Sequence, residues 1–358
     1  MKKAIAAILM LGMVLGLTAC GEPNAESGKT DAGNKQTNTE ASVGGTGTGG
    51  SGGGTILSFG TGSVGGTDNV VLEALSSVAN SNTDLRTSTV TTSGGAEIIS
   101  LIGTGDLQAG YAGTIDLVNA KNGVEPFAEA IPAEDMLQGF GFVTWALPVV
   151  VLENSNIQSY EDLEGKHIGF PPAASSSTAV LNLVLEAYGL TGKVNIDYFT
   201  WNEGYTALKD GRIDAFVGSY ANGSPISGII ETEATNPIRV LNMSQEAADK
   251  VAEMNGGVSC SSLTNAECAT IPEGETYLAA ANSGVVIFSA KVSEDDVYVY
   301  TKCALENAAA LKEISTYFDK FEEVVMNACT EDIPFHPGAA KALKEAGIWG
   351  DGYTVYGE

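Results

Sequence analysis

Two stretches of this 358-residue chain, Gly103–Gly113 (GTGDLQAGYAG) and Lys209–Ala221 (KDGRIDAFVGSYA), close the same succession of patterns. Each half runs strand, small-residue turn, helix, strand, polar turn, helix, and then a glycine-led entry into another strand. Alternating strands and helices favour a mainly parallel sheet with helices packed on it. Such sheets bind ligands outside the carboxyl ends of their strands. Used twice, the plan predicts two similar α/β lobes with a ligand cleft between their carboxyl edges.

The divisions follow from the same patterns. Residues 55–144 are expected to form lobe one and residues 145–278 lobe two, with a crossover near residues 140–150. The apolar run Val285–Ser289 carries the chain back, so residues 279–358 return to lobe one. Long helices over 295–314 and 316–327 are expected to pack there.

Two successive segments at the start of the chain are expected to lie outside the fold. Lys2-Lys3, an apolar run to Leu17 and the small residues before Cys20 read as an export signal over residues 1–20. Residues 21–54 are dense in Gly, Thr, Asn and Ser and nearly free of apolar side chains, so they are expected to be a disordered tether. About 300 residues remain, enough for two lobes.

A net charge of -26 repels nucleic acid and excludes that class of partner. His167 and His336 stand alone and no His or Cys cluster has ligand spacing, so neither metal nor cofactor is expected. His336 reads as a buried, hydrogen-bonded histidine in a C-terminal turn. Export permits oxidation, and Cys260–Cys268 and Cys303–Cys329 are the expected disulfides, although four cysteines allow three pairings.

The strand Ile56–Phe59 leads into Gly60-Thr61-Gly62-Ser63-Val64-Gly65-Gly66-Thr67-Asp68, and a helical pattern follows. A strand, a glycine-rich turn and a helix start aim backbone N–H groups at a ligand oxygen. Gly62, Ser63, Gly65, Gly66, Thr67 and Asp68 are therefore binding candidates. Ser93, Gly94 and Gly95 open the second helix in the same way, as do Ser175, Ser176, Ser177 and Thr178 in lobe two. Trp201 and Glu203 sit at a strand end as an aromatic wall and a polar clamp. Tyr111 and Tyr220 follow matching strands and are expected to close the cleft from opposite sides. The plain alternative for these positions is structural: glycines that permit a turn, and hydroxyls that cap a helix. Trp145 reads as core or hinge.

Five motifs occur in order: Gly60–Thr67, Ser93-Gly94-Gly95, Asp162-Leu163-Glu164-Gly165-Lys166, Asp210-Gly211-Arg212-Ile213-Asp214-Ala215, and Pro334-Phe335-His336-Pro337-Gly338-Ala339. Together they resemble the TAXI family of solute receptors of TRAP transporters. The resemblance implies a two-lobed, type II-like periplasmic binding protein fold that closes on a small organic solute, glutamate and 2-oxoglutarate being among the family's ligands. It implies delivery to TRAP permease subunits driven by an ion gradient, with the receptor acting as a monomer. Leu17–Gly21 similarly resembles a lipobox, which implies lipid on Cys20 and anchorage to the outer face of a bacterial membrane. This chain has Asp68-Asn69 where the family commonly has two tyrosines, and an acid there would face an amino group on the ligand. The expected function is thus a solute receptor. A sensory lipoprotein is the alternative, and an exported enzyme is a weaker one, since no nucleophile elbow is present.

Overall fold

The computed structural model describes residues 56–64 and 66–358. The export signal, the tether, Cys20 and Gly65 lie outside the described residues.

Lobe one opens with β1 (Ile56–Thr61), α1 (Thr67–Asn82), β2 (Arg86–Thr91), α2 (Gly95–Thr104), β3 (Ala109–Gly113) and α3 (Thr114–Asn122). β4 (Leu137–Ala146) then crosses to lobe two. Lobe two contains β5 (Val149–Leu152), β6 (His167–Phe170), α4 (Ser176–Ala187), β7 (Asn195–Tyr198) and α5 (Trp201–Lys209). It continues through β8 (Phe216–Val217), β9 (Tyr220–Ala221), β10 (Ser224–Pro225), α6 (Ser227–Glu233), β11 (Ile238–Val240), α7 (Gln245–Met254) and β12 (Val258–Leu263). The long β13 (Tyr277–Phe288) returns to lobe one, where α8 (Glu294–Glu306), α9 (Ala308–Ile314), α10 (Phe321–Asn327) and α11 (Pro337–Glu345) follow.

In the main sheet β2, β1 and β3 are parallel, and β13 and β4 are antiparallel additions beside them. β13 has two halves with different neighbours. Its residues 277–282 pair with β12 of lobe two, and its residues 284–288 pair with β3 of lobe one. β4 runs antiparallel along its other side from Ala281 to Phe288. The two strands that join the lobes are therefore bonded to each other, the arrangement expected of a hinge. In lobe two, β6 and β7 are parallel, β5 lies between β8 and β11, and an isolated bridge from Ile168 to Ala215 links the two groups.

Two hydrophobic cores follow the same division. One joins Phe59, Phe140, Phe288 and Tyr300, with Phe59 and Tyr300 stacked at 4.7 Å. The other gathers Phe170, Tyr205, Phe216 and the aliphatic residues of β5 and α4. Local chemistry places the helix ends. Ser175, Ser244 and Ser293 accept backbone N–H bonds as caps of α4, α7 and α8, and Gly189 takes φ 66° just beyond α4. His336 caps α11: its Nδ1 accepts from Gly338 N–H, so Nε2 carries the proton and donates to Val292 O at 3.1 Å. Burial pulls its pKa down.

Two expectations are corrected. The helix expected over 295–314 breaks at Asn307, which takes φ -108° and ψ 21° and donates both its backbone N–H and its side-chain amide to Cys303 O, at 3.1 and 2.8 Å. The segment after it starts with a single tight turn at 316–318, and α10 begins only at Phe321. Neither disulfide is formed: Cys260, Cys268, Cys303 and Cys329 are all free thiols. Cys260 is exposed on β12, whereas Cys268 is buried beside Thr270 Oγ1. Cys303 faces Val78 O of α1, and Cys329, just past the end of α10, faces Val325 O of that helix. The inward thiols act as small apolar fillers, each against its own neighbours.

Candidate functional site

A cavity of about 350 Å³ lies between the lobes at the carboxyl ends of their strands. Lobe one contributes Gly62, Ser63, Val64, Gly66, Thr67 and Asp68 from the β1–α1 turn, Ser93 from the β2–α2 turn and Tyr111 from β3. Lobe two contributes Pro172 and Ser175–Ser177 at the start of α4, Thr200–Asn202 at the start of α5, Ser219, and Ile226–Gly228 at the start of α6. The hinge adds Trp145 from β4 and Asn282 from β13, and Tyr317 comes from the turn before α10.

Asp68 is the one ionisable carboxylate on this wall, and no Lys, Arg or His lines it among the described residues. It occupies the second position of α1, and its Oδ2 accepts from Gly62 N–H at 2.5 Å. Burial pushes its pKa up to about 6 against the opposing effect of that N–H. A Cβ on Gly62 would lie 2.6 Å from Asp68 Oδ2, so the glycine leaves room for the acid.

Behind the wall stands a second carboxylate. Asp116, in the first turn of α3, accepts from Gly113 N–H at 3.1 Å and from Ser176 Oγ of lobe two at 2.6 Å. Burial pushes it, too, up to about 6, opposed by those two donors. Tyr111 stands between the two acids; burial first, then both negative charges, holds its phenol well above the ordinary range. Its ring meets Phe142 and Trp145 edge-on at 6.4 and 6.5 Å.

The residues singled out in the sequence divide into two groups. Gly62, Ser63, Gly66, Thr67, Asp68, Ser93, Tyr111, Ser175, Ser176, Ser177 and Trp201 come together on the cavity wall. The other described ones stand off it. Gly94 takes φ 144°, a backbone conformation that side chains rarely adopt. Gly95 makes room for Asp116, whose Oδ2 a Cβ would overlap. Thr178 is buried and donates to Pro171 O and Pro172 O. Glu203 is exposed and bound into a capping box with Thr200, its Oε2 2.8 Å from Thr200 Oγ1. Tyr220 is buried on β9 beside Ala146 of β4 and does not reach the cavity.

Several wall residues escaped sequence reasoning. Asn282 sits inside the apolar run of β13, and that lone amide was a readable signal. Its Oδ1 accepts from Thr114 Oγ1 at 3.1 Å and from Ile115 N–H at 3.2 Å, across the hinge. Trp145, read as core or hinge, is on β4 at the hinge and also lines the cavity. Thr200, Asn202, Ser219 and Ser227 are ordinary turn and cap residues in sequence. Tyr317 arrives from a distant segment and had no local signature.

The profile described as the NMT1-like family matches residues 59–347. Among solved structures, the chain is similar to the periplasmic aliphatic sulphonate binding protein of Escherichia coli at 15% identity and TM-score 0.44, over 81% of this chain and 78% of that one. It is similar to an ancestral arginine-binding protein at 15% identity and TM-score 0.44, over 75% and 96% of the two chains. A third similarity is to the GluR0 ligand-binding core of Nostoc punctiforme, at 14% identity and TM-score 0.41, over 74% and 98%.

Proposed function

The chain belongs to the NMT1-like family and has a two-lobed periplasmic binding fold, and from that premise we propose that it is an extracytoplasmic solute receptor. It captures a small polar organic solute, an amino acid or a related carboxylate, and hands it to a membrane permease. The observation that carries this reading is the cavity itself. Hydroxyls and helix starts from both lobes face one space, with the paired strands β4 and β13 and the turn before α10 completing its lining among the described residues. Donors at the starts of α1, α4 and α5 suit oxygen atoms of a solute.

The permease is of the ion-gradient-driven TRAP type in this proposal, supported by the ordered motifs from Gly60 to Ala339. Lipidation of Cys20 would tether the receptor to the membrane face where that permease sits. Native mass spectrometry of the purified protein should find one small solute bound per chain. Uptake of that solute by vesicles holding receptor and permease should follow an imposed ion gradient and persist without ATP. Uptake that needs ATP would reassign the permease and leave the receptor reading standing, whereas turnover of the solute would overturn the receptor reading.

A further inference from the structure

The cleft's charges say more about its ligand than its shape does. Neutral donors can hold oxygen atoms, but a carboxylate on the wall needs a cation opposite it or stays uncompensated. Asp68 has only backbone N–H partners, Gly62 foremost, and no ion pair among the described residues. Asp116 adds a second negative charge behind Tyr111, again without a cation. Aromatic side chains complete the lining: Tyr111, Trp145, Trp201 and Tyr317 all border the same cavity. A carboxylate set among aromatic rings suits an ammonium group, through charge pairing and cation–π attraction together.

We propose that this cleft selects solutes that carry a protonated or quaternary amine and have zero or positive net charge, with the ammonium opposite Asp68 and the remainder against the aromatic rings. The inference rests on the receptor reading above and narrows its ligand. One carboxylate on the solute is allowed, because the hydroxyls and N–H groups at the start of α4 can hold it. A second carboxylate is excluded, because both acids of the site repel it. Glutamate and 2-oxoglutarate are therefore poor ligands here, although both carry oxygens enough for the donors.

Calorimetry with the purified, dialysed full chain tests this, using L-phenylalanine, L-glutamine, agmatine and choline against L-glutamate, 2-oxoglutarate and succinate. At least one of the first four should bind, at least tenfold more tightly than any of the last three. Asp68→Asn, which keeps an acceptor for Gly62 N–H, should weaken that ligand more than tenfold while the circular dichroism spectrum is retained. The unaltered protein gives an independent readout if the variant fails to fold. Binding of the ammonium probe should tighten as pH rises from 5 to 7 and Asp68 ionises, with Asp116 and Tyr111 the other titratable groups nearby. Tightest binding by a net anion, or an amine affinity unmoved by both the substitution and pH, would overturn the charge assignment and leave the receptor standing. Failure of all seven probes, with no solute co-purified, would overturn the charge assignment and the receptor reading together.

Discussion

Ser176 Oγ donates to Asp116 Oδ2 at 2.6 Å, joining the first turn of α4 in lobe two to the first turn of α3 in lobe one. The bond sits directly behind the cavity wall, and Gly113 and Gly95 are both small enough to admit it. A bond between the lobes favours the closed arrangement over an open one.

Ser176→Ala is expected to loosen closure. A hydrogen bond to a charged group contributes about 1.5–3 kcal/mol, so affinity for the bound solute should fall roughly tenfold or more. Small-angle scattering should show a larger radius of gyration for the solute-free variant. An unchanged radius and affinity would mean that the bond does not govern closure.

Asp116 makes stability depend on pH with a defined sign. Its folded-state pKa is raised from 3.8 to about 6 by burial, so the folded chain holds the proton more tightly than the unfolded chain. The stabilisation is full below about pH 4 and is lost as pH rises to about 6. Asp116→Asn should therefore gain stability relative to the unaltered protein across that window, by on the order of 2–3 kcal/mol. Denaturant unfolding at pH 4, 5, 6 and 7 measures it. A difference that does not grow with pH would show that Asp116 ionises freely.

Gly62→Ala should damage the site more than the fold. The added methyl would lie 2.6 Å from Asp68 Oδ2 and 3.2 Å from Tyr111 Oη, pushing the acid from its place. Overpacking of this kind costs about 1–3 kcal/mol. Solute affinity should drop about tenfold or more while the unfolding transition stays cooperative. Equal affinity in the variant would show that Asp68 can move without consequence.

Thiol chemistry checks the cysteines. Alkylation of the native chain should label Cys260 quickly, since it alone of the four is exposed. Cys268, Cys303 and Cys329 should react only after unfolding. Peptides joined through any two of these cysteines under non-reducing conditions would contradict the free thiols.

The glycine-rich turn after β1, the serine cap of α4 and the glycine beyond that helix were all legible in the chain, because each depends on a few neighbouring residues. So was the doubled α/β plan, because alternating apolar periods report strands and helices locally. The same local signals misled at Glu203, whose capping box with Thr200 was as readable as its imagined role as a clamp. The continuous helix expected over 295–314 also failed locally, since Asn307 turns its side-chain amide onto Cys303 O beside its own backbone N–H and leaves helical torsions there.

The amino-acid sequence by itself determined the alternating strands and helices, the crossing strand near residues 140–150 and the helix starts at Thr67, Gly95 and Ser176, whereas the returning strand was read only from Val285 and in fact begins at Tyr277. Only the tertiary structure decided which side chains reach it. Thr178 follows Ser177 by one residue, yet the turn of α4 aims it at Pro171 O and away from the cavity. Asn282, Trp145 and Tyr317 reach one cavity from three distant segments, and Ser176 meets Asp116 across the lobes. Caps and turns are set by torsion angles and hydrogen bonds within a few residues. The face a helix turns inward, and the partners it meets there, are set by how the two cores pack against the paired strands of the hinge.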